Sequence, residues 1–218
     1  MKYLLCMFLA TILFPEDLIS KNIKVCPECL VKTLETAVIE AVQNDTITIA
    51  QGVFRIENIL IDKTLTIIGT DGAELVSASG DEMLTITAPN VSILGLTFRG
   101  VTTSYLKERA AIRIVKQKGF RLEQNFIKDC FFGIYLERAK AGTISNNIIE
   151  GNATTEAESG NGIHAWYCSD LSIHDNTVSG HRDGIYFEFV NESQVDANVS
   201  FLNKRYGLHF MFSNDDKY

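Results

Sequence analysis

The sequence predicts an all-β protein, a right-handed parallel β-helix whose coils each take about 22 residues, with a short N-terminal capping helix. Three observations carry this. A glycine phrase recurs as GIYLER (133–138), GIHAWY (162–167), GIYFEF (184–189) and GLHFMF (207–212). An asparagine phrase alternates with it: LEQN (122–125), ISNN (144–147), IHDN (173–176) and VDAN (195–198). Its asparagines, Asn125, Asn147, Asn176 and Asn198, are 22, 29 and 22 residues apart, and the longer step is one repeat with a seven-residue insertion near Thr154–Gly160. Finally, the runs between turn residues alternate with period two, as in Ile185–Phe189, and no helix fits inside a repeat.

Such a repeat cannot bury its apolar side alone, so it stacks. Each strand pairs with its copy about 4.8 Å above and below, and like residues fall into columns. The four asparagines then form a ladder at one inward turn, each amide bonding the next, because buried amides need partners.

Taken in order, the chain opens with Met1-Lys2 and the apolar run Tyr3–Phe14. This start fits a secretory signal peptide or an N-terminal anchor over residues 1–20. Residues 21–44 hold a CxxC, Cys26-Pro-Glu-Cys29, and a helix. With no second CxxC there is no tetrahedral zinc set from this motif. The pair reads as a short disulfide in an oxidising compartment, or as reduced thiolates able to take Cu(I). Thr33 is the N-cap of a helix over 33–43 whose Leu34, Ala37, Val38 and Ala41 share one face. That helix covers the open end of the first coil, where bare strand edges would recruit other chains.

The β-helix itself is assigned to residues 45–218. Strands are expected at Thr46–Ala50, Leu65–Ile68, Leu84–Thr87 and Val91–Phe98. Leu96 aligns with the ladder asparagines, so the ladder starts one coil later. The step from Leu96 to Asn125 again carries seven extra residues, in the polar stretch 101–109. Two insertions thus follow the same strand and make one side of the solenoid its binding side.

Composition removes several classes. The net charge is −7, which argues against nucleic acid as a partner. No apolar run reaches the eighteen or so residues of a membrane span. Three prolines and fifteen glycines are too few for a low-complexity chain.

Within the glycine phrase, Ile134, Ile163, Ile185 and Leu208 should point inward, as should Leu136, Ala165, Phe187 and Phe210. Tyr135, His164, Tyr186 and His209 form one outward column; Glu137, Trp166, Glu188 and Met211 form another. An exposed aromatic stripe on a parallel sheet marks a binding surface. His209 and Met211 lie on one side of one strand, and imidazole with thioether suits copper but neither calcium nor magnesium. His164 sits two coils away, too far to share an ion with His209. Either histidine can instead be a stacking partner for the tyrosines. Arg182-Asp183 and Lys204-Arg205 are turn charges, His181 is a turn position tolerant of polar groups, and Cys168 is a small inward residue whose buried thiol is inert.

HRDGIYFEF (181–189) and RYGLHFMFSNDDKY (205–218) resemble the NosD family of nitrous-oxide reductase maturation proteins. The resemblance is strongest from Gly162 to Tyr218; residues 45–150 match only generic carbohydrate-active β-helices. It implies a periplasmic, non-catalytic accessory protein for assembling the copper site of nitrous-oxide reductase. Such a protein carries or guides transient Cu(I) together with an ABC-type permease and ATPase, the apo-reductase and a copper chaperone. Family members are longer, and Tyr218 ends on a strand–turn phrase, so further C-terminal coils are expected. The metal contacts this reading selects are His209, Met211, His164 and Glu188, with Cys26 and Cys29 secondary. The alternative is a carbohydrate-active enzyme: a polysaccharide lyase, hydrolase or epimerase. Glycoside cleavage needs two carboxylates about 5–10 Å apart, for which Glu137 with Glu188, or Asp183 with Glu188, are the pairs available, and Trp166, Tyr135 and Tyr186 would stack on sugar rings.

Overall fold

The computed structural model describes residues 20–152 and 154–218. The expected secretory segment lies outside the described residues, apart from Ser20. Among the described residues, 22 short strands are wound into three parallel sheets, one strand per sheet per coil. Sheet A runs from Asn22–Val25 to Gln194–Asp196, sheet B from Gly52–Ile56 to Val199–Phe201, and sheet C from Ile59–Ile61 to Tyr206–Met211. Every pairing is parallel and in register, so the sequence columns are physical columns.

The helix spans Leu34–Glu40. Thr33 caps it, accepting from Thr36 N at 3.2 Å, an arrangement worth about 1 kcal/mol. No basic residue sits in its last turn. Lys63, one coil on, supplies that charge and donates to the carbonyls of Val38 (2.7 Å) and Ala41 (2.8 Å). Leu34, Ala37 and Val38 are buried on the first coil. The stacking begins before the repeat is legible, since Asn22–Val25 already pairs with Thr46–Ile49. The sheet therefore starts at 22, not 45.

Inside, from its second strand on, sheet A centres each strand on a branched aliphatic or leucine: Ile47, Ile67, Ile93, Leu122, Ile144, Ile173 and Val195, all at most 3% exposed. Sheet C adds Ile134–Ile163–Ile185 and Leu136–Ala165–Phe187. The small Ala165 leaves room for Phe187, which stacks on Phe210 at 4.8 Å.

Between sheets A and B the chain turns on a single left-handed residue: Gly95, Gln124, Asn146, Asp175 or Ala197, with φ between 53° and 64°. For a residue with a Cβ this costs about 1 kcal/mol or more. The bend continues into the ladder, which offsets that cost. The amide of Asn147 donates to Leu122 O (2.8 Å) and Asn176 Oδ1 (2.9 Å). Its own Oδ1 accepts from Asn125 N and Nδ2, both at 3.0 Å. Asn125 and Asn176 repeat the pattern, and the ladder's first acceptor bond comes from Leu96 N at 3.1 Å. The Val91–Phe98 run is split by Gly95 into Ser92–Leu94 and Thr97–Arg99.

Both insertions leave after sheet B and return before sheet C. They meet: Thr103 Oγ1 donates to Glu158 O at 2.9 Å. Together they roof the outer face of sheet C.

Candidate functional site

Sheet C builds the site because its strands are the longest in the later coils and carry both insertions at their entrances. Phe132–Glu137, Ile163–Trp166, Asp183–Glu188 and Tyr206–Met211 lie side by side. Tyr135, His164, Tyr186 and His209 are register partners, as are Glu137, Trp166, Glu188 and Met211.

The first column points outward but is not the solvated stripe the alternation suggests. Tyr135, His164 and Tyr186 are 4%, 7% and 9% exposed. The ring of His164 stacks on Tyr135 (centroids 4.5 Å apart, 10° between planes) and lies 4.8 Å from Tyr186. Phe132 meets both Tyr135 and His164 edge-on, and the Arg113 guanidinium sits 4.2 Å over Tyr135. The roof and the neighbouring rings exclude water, a tertiary effect invisible to period-two patterning. Asn161 Nδ2 lies 3.0 Å from His164 Nδ1, and burial pushes this imidazole down to about 3. An amide N–H donates there, so Nδ1 accepts. His164 is thus a neutral stacking block whose free lone pair is already used, not an exposed metal contact.

His209 differs. It is part-exposed, and its Nδ1 lies 3.2 Å from Asp183 Oδ2. Asp183 is fully buried. Burial pushes its carboxyl up, but bonds from Arg205 and His209 outweigh that and hold it below the usual carboxylate range. Arg205 grips both its oxygens, with Nε to Oδ1 at 3.2 Å and Nη2 to Oδ2. Two residues beyond His209, Met211 Sδ lies 3.1 Å from the Tyr186 hydroxyl, which also meets Glu188 Oε2 at 3.3 Å. One hydroxyl hydrogen serves one acceptor at a time, and the carboxylate is the stronger acceptor. The thioether, with two lone pairs, keeps at least one of them unused.

Glu137, Trp166 and Glu188 are in register, so a tryptophan separates the two glutamates. Arg138 lies over Trp166 at 5.3 Å. The pair of Asp183 with Glu188 is not available as two free carboxylates, because Asp183 is enclosed by its own cation. Cys26 and Cys29 are joined as a disulfide. They follow the first strand of sheet A, at the opposite end of the solenoid from His209. Cys168 is a buried free thiol that burial pushes up to about 11.

Under the roof lies a cleft of about 820 Å³ bordered by Arg109, Arg113, Tyr186, Glu188 and Arg205. Its arginines are paired: Arg113 Nε with Glu82 at 2.6 Å, Arg109 with Asp81 at 3.1 Å, and Arg205 with Glu156 at 3.5 Å. Two buried groups escape a sequence reading. His181, expected at a tolerant turn, is 1% exposed, and burial pushes its ring down to about 4. Asp183 reads as a turn charge. Its signal is that it is the one acid in a column otherwise holding Ala110, Phe132, Asn161 and Tyr206. Among the described residues no three of His, Cys, Asp and Glu converge as a metal cage, and no helix is long and apolar enough to cross a membrane.

Comparison with known proteins agrees with this geometry. The family described as "Right handed beta helix region" matches residues 85–217. A "Probable ABC transporter binding protein NosD" from Pseudomonas aeruginosa is 32% identical over 129 residues, covering 58% of this chain but only 30% of that protein. Among solved structures, a rhamnogalacturonan lyase superposes with a TM-score of 0.57 at 12% identity, over 91% of this chain and 62% of its own. A pectin methylesterase in complex with a hexasaccharide gives 0.45 at 15% identity, over 91% and 66%. At such identities the lyase shares the fold alone. The registered coils and the family match together make this chain a member of the right-handed β-helix family, similar over 129 residues to that NosD protein.

Proposed function

We propose that the chain is the β-helix part of a periplasmic, non-catalytic accessory protein for copper-site assembly of nitrous-oxide reductase. Copper is its cargo, passed as Cu(I) along the outer wall of sheet C. The observation that carries the reading is local. His209 and Met211 project from one strand beside Glu188, with one ring nitrogen of His209 tied to a buried carboxylate and the thioether within reach of the single Tyr186 hydroxyl, which engages at most one of its two lone pairs. Imidazole and thioether are a donor pair for Cu(I), and a pair without a third convergent ligand suits an ion in transit. The relative's name, an ABC transporter binding protein, supports a permease and its ATPase as partners. The apo-reductase and a copper chaperone complete the set. Cys26 and Cys29 contribute thiolates only after reduction.

The test is competition for Cu(I) against a chromophoric chelator. Replacing both His209 and Met211 by alanine should weaken binding at least tenfold, about 1.4 kcal/mol. Unchanged affinity in the double variant dismisses these ligands.

A second reading, a carbohydrate-active enzyme, is favoured by one observation: the roofed cleft, with Glu188 and Tyr186 in its wall. Turnover of an acidic polysaccharide by the purified chain, abolished by Glu188→Gln, would establish it over the first.

A further inference from the structure

Two histidines stand in one column of sheet C, and their surroundings assign them opposite tautomers. His164 Nδ1 faces the amide nitrogen of Asn161 at 3.0 Å. The amide's orientation is set independently, because Asn161 Oδ1 accepts the backbone N–H of Asp183 at 3.2 Å. His164 Nδ1 is therefore an acceptor, and its proton sits on Nε2.

At His209 the partner is reversed. Nδ1 lies 3.2 Å from Asp183 Oδ2, and a carboxylate only accepts. Arg205 Nη2 is also 3.3 Å from this nitrogen. A guanidinium has no acceptor; one of the two Nη2 hydrogens donates to Asp183 Oδ2, and against the second, at the longer distance, the ionised carboxylate is the stronger partner for Nδ1. The two donors converge on one oxygen. Asp183 is itself immobilised: fully buried, gripped by Arg205, and accepting Tyr206 N at 3.2 Å through Oδ1. Both donors that surround it, Arg205 and the Tyr206 backbone, come from the coil that also carries His209. The ring orientation is thus fixed by two adjacent coils clamping one carboxylate.

We propose that Asp183 is the positioning residue of the His209 site: it holds the imidazole with its proton on Nδ1 and turns the Nε2 lone pair outward for a soft cation. Asn161 does the converse for His164 and keeps that ring out of the metal path. This rests on the reading of His209 as a metal contact, but the tautomer assignment stands without it. A metal-ligating histidine whose other nitrogen donates to a carboxylate gains both orientation and basicity, and losing that carboxylate typically weakens metal binding 10- to 100-fold.

The test begins on the metal-free native protein, needing no variant. Long-range ¹H–¹⁵N correlation spectra, taken well above the usual histidine pKa, should show His209 with its proton on Nδ1 and His164 with its proton on Nε2. A predominant Nε2–H form of His209 overturns the inference. Cu(I) titration then compares Asp183→Asn and His209→Ala with the native chain, folding being checked by circular dichroism. A loss of tenfold or more in both supports the positioning role. A loss in His209→Ala but none in a folded Asp183→Asn overturns it. No loss in His209→Ala removes the copper reading instead, and the spectra alone then decide the tautomer. If Asp183→Asn does not fold, the native spectra decide.

Discussion

Replacing Asn147 by alanine tests whether the ladder, rather than apolar packing alone, holds the coils in register. The side chain makes four bonds, to Asn125 N, Asn125 Nδ2, Leu122 O and Asn176 Oδ1. Asn125 Nδ2 still reaches Ile93 O, and Asn176 Oδ1 still accepts Asn147 N. The Asn125 N–H, however, loses its acceptor in a buried place. An orphaned buried donor costs about 1–3 kcal/mol, and each further lost bond about 0.5–1.5. The expected loss is about 3–5 kcal/mol. Asn198→Ala removes the equivalent group from the end of the ladder, where Asn198 is only half-buried and water can substitute; about 1 kcal/mol is expected there. Urea unfolding is the assay, followed by far-UV circular dichroism and by the fluorescence of Trp166, the single tryptophan. Agreement of the two probes checks that unfolding is cooperative. Equal losses in the two variants, or a loss under about 1 kcal/mol for Asn147→Ala, would refute the argument.

Other outcomes follow from the same geometry. His164 and His181 are held neutral in the fold, near 3 and 4, whereas the unfolded chain protonates them near about 6.5. Stability should therefore fall as pH drops below about 6.5, each ring removing about 2 kcal/mol by about pH 5. His181→Asn, which restores the residue its column holds at Asn152 and Asn203, should remove about half of that dependence. Asp183 works in a lower window. Its carboxyl is depressed in the fold, so its contribution is complete above the unfolded value of about 3.9 and is lost as pH falls through the lower folded one. Cys130 and Cys168, pushed up to about 12 and about 11 by burial, should resist alkylation in the native protein and react at once in urea. Gly184→Ala would place a Cβ 2.0 Å from Ser200 Oγ and 2.6 Å from Gly207 O, and should cost roughly 1–3 kcal/mol. Gly207→Ala meets nothing closer than 3.4 Å and should be near neutral in the same melts.

Much of the architecture is legible because a solenoid writes itself along the chain. The 22-residue spacing forces like residues into columns, so the ladder, its start after Leu96, the inward isoleucines and the two insertions after one strand can all be read without coordinates. The early coils are less legible. Gly52–Ile56, Ile59–Ile61 and Ala73–Ser77 carry neither phrase, and their strands emerge only from pairing with later copies. The first strand, Asn22–Val25, is likewise defined by Thr46–Ile49 rather than by its own pattern.

The site divides along the same line. Alternation determines which side of a strand a residue leaves, and it sends His164 and His209 outward together. It carries nothing about what lies over that side. Insertion 101–109 folds over from two coils away and 154–160 leads into the strand of His164 itself, and with Phe132 and Arg113 they bury His164 while leaving His209 part-exposed. Asp183 reads as one more turn charge until Arg205 and His209, 22 and 26 residues later, close on it. Column membership is local periodicity, and the chain states it outright. Burial, proton placement and the pairing of a charge depend on contacts between coils, and only the wound solenoid decides those.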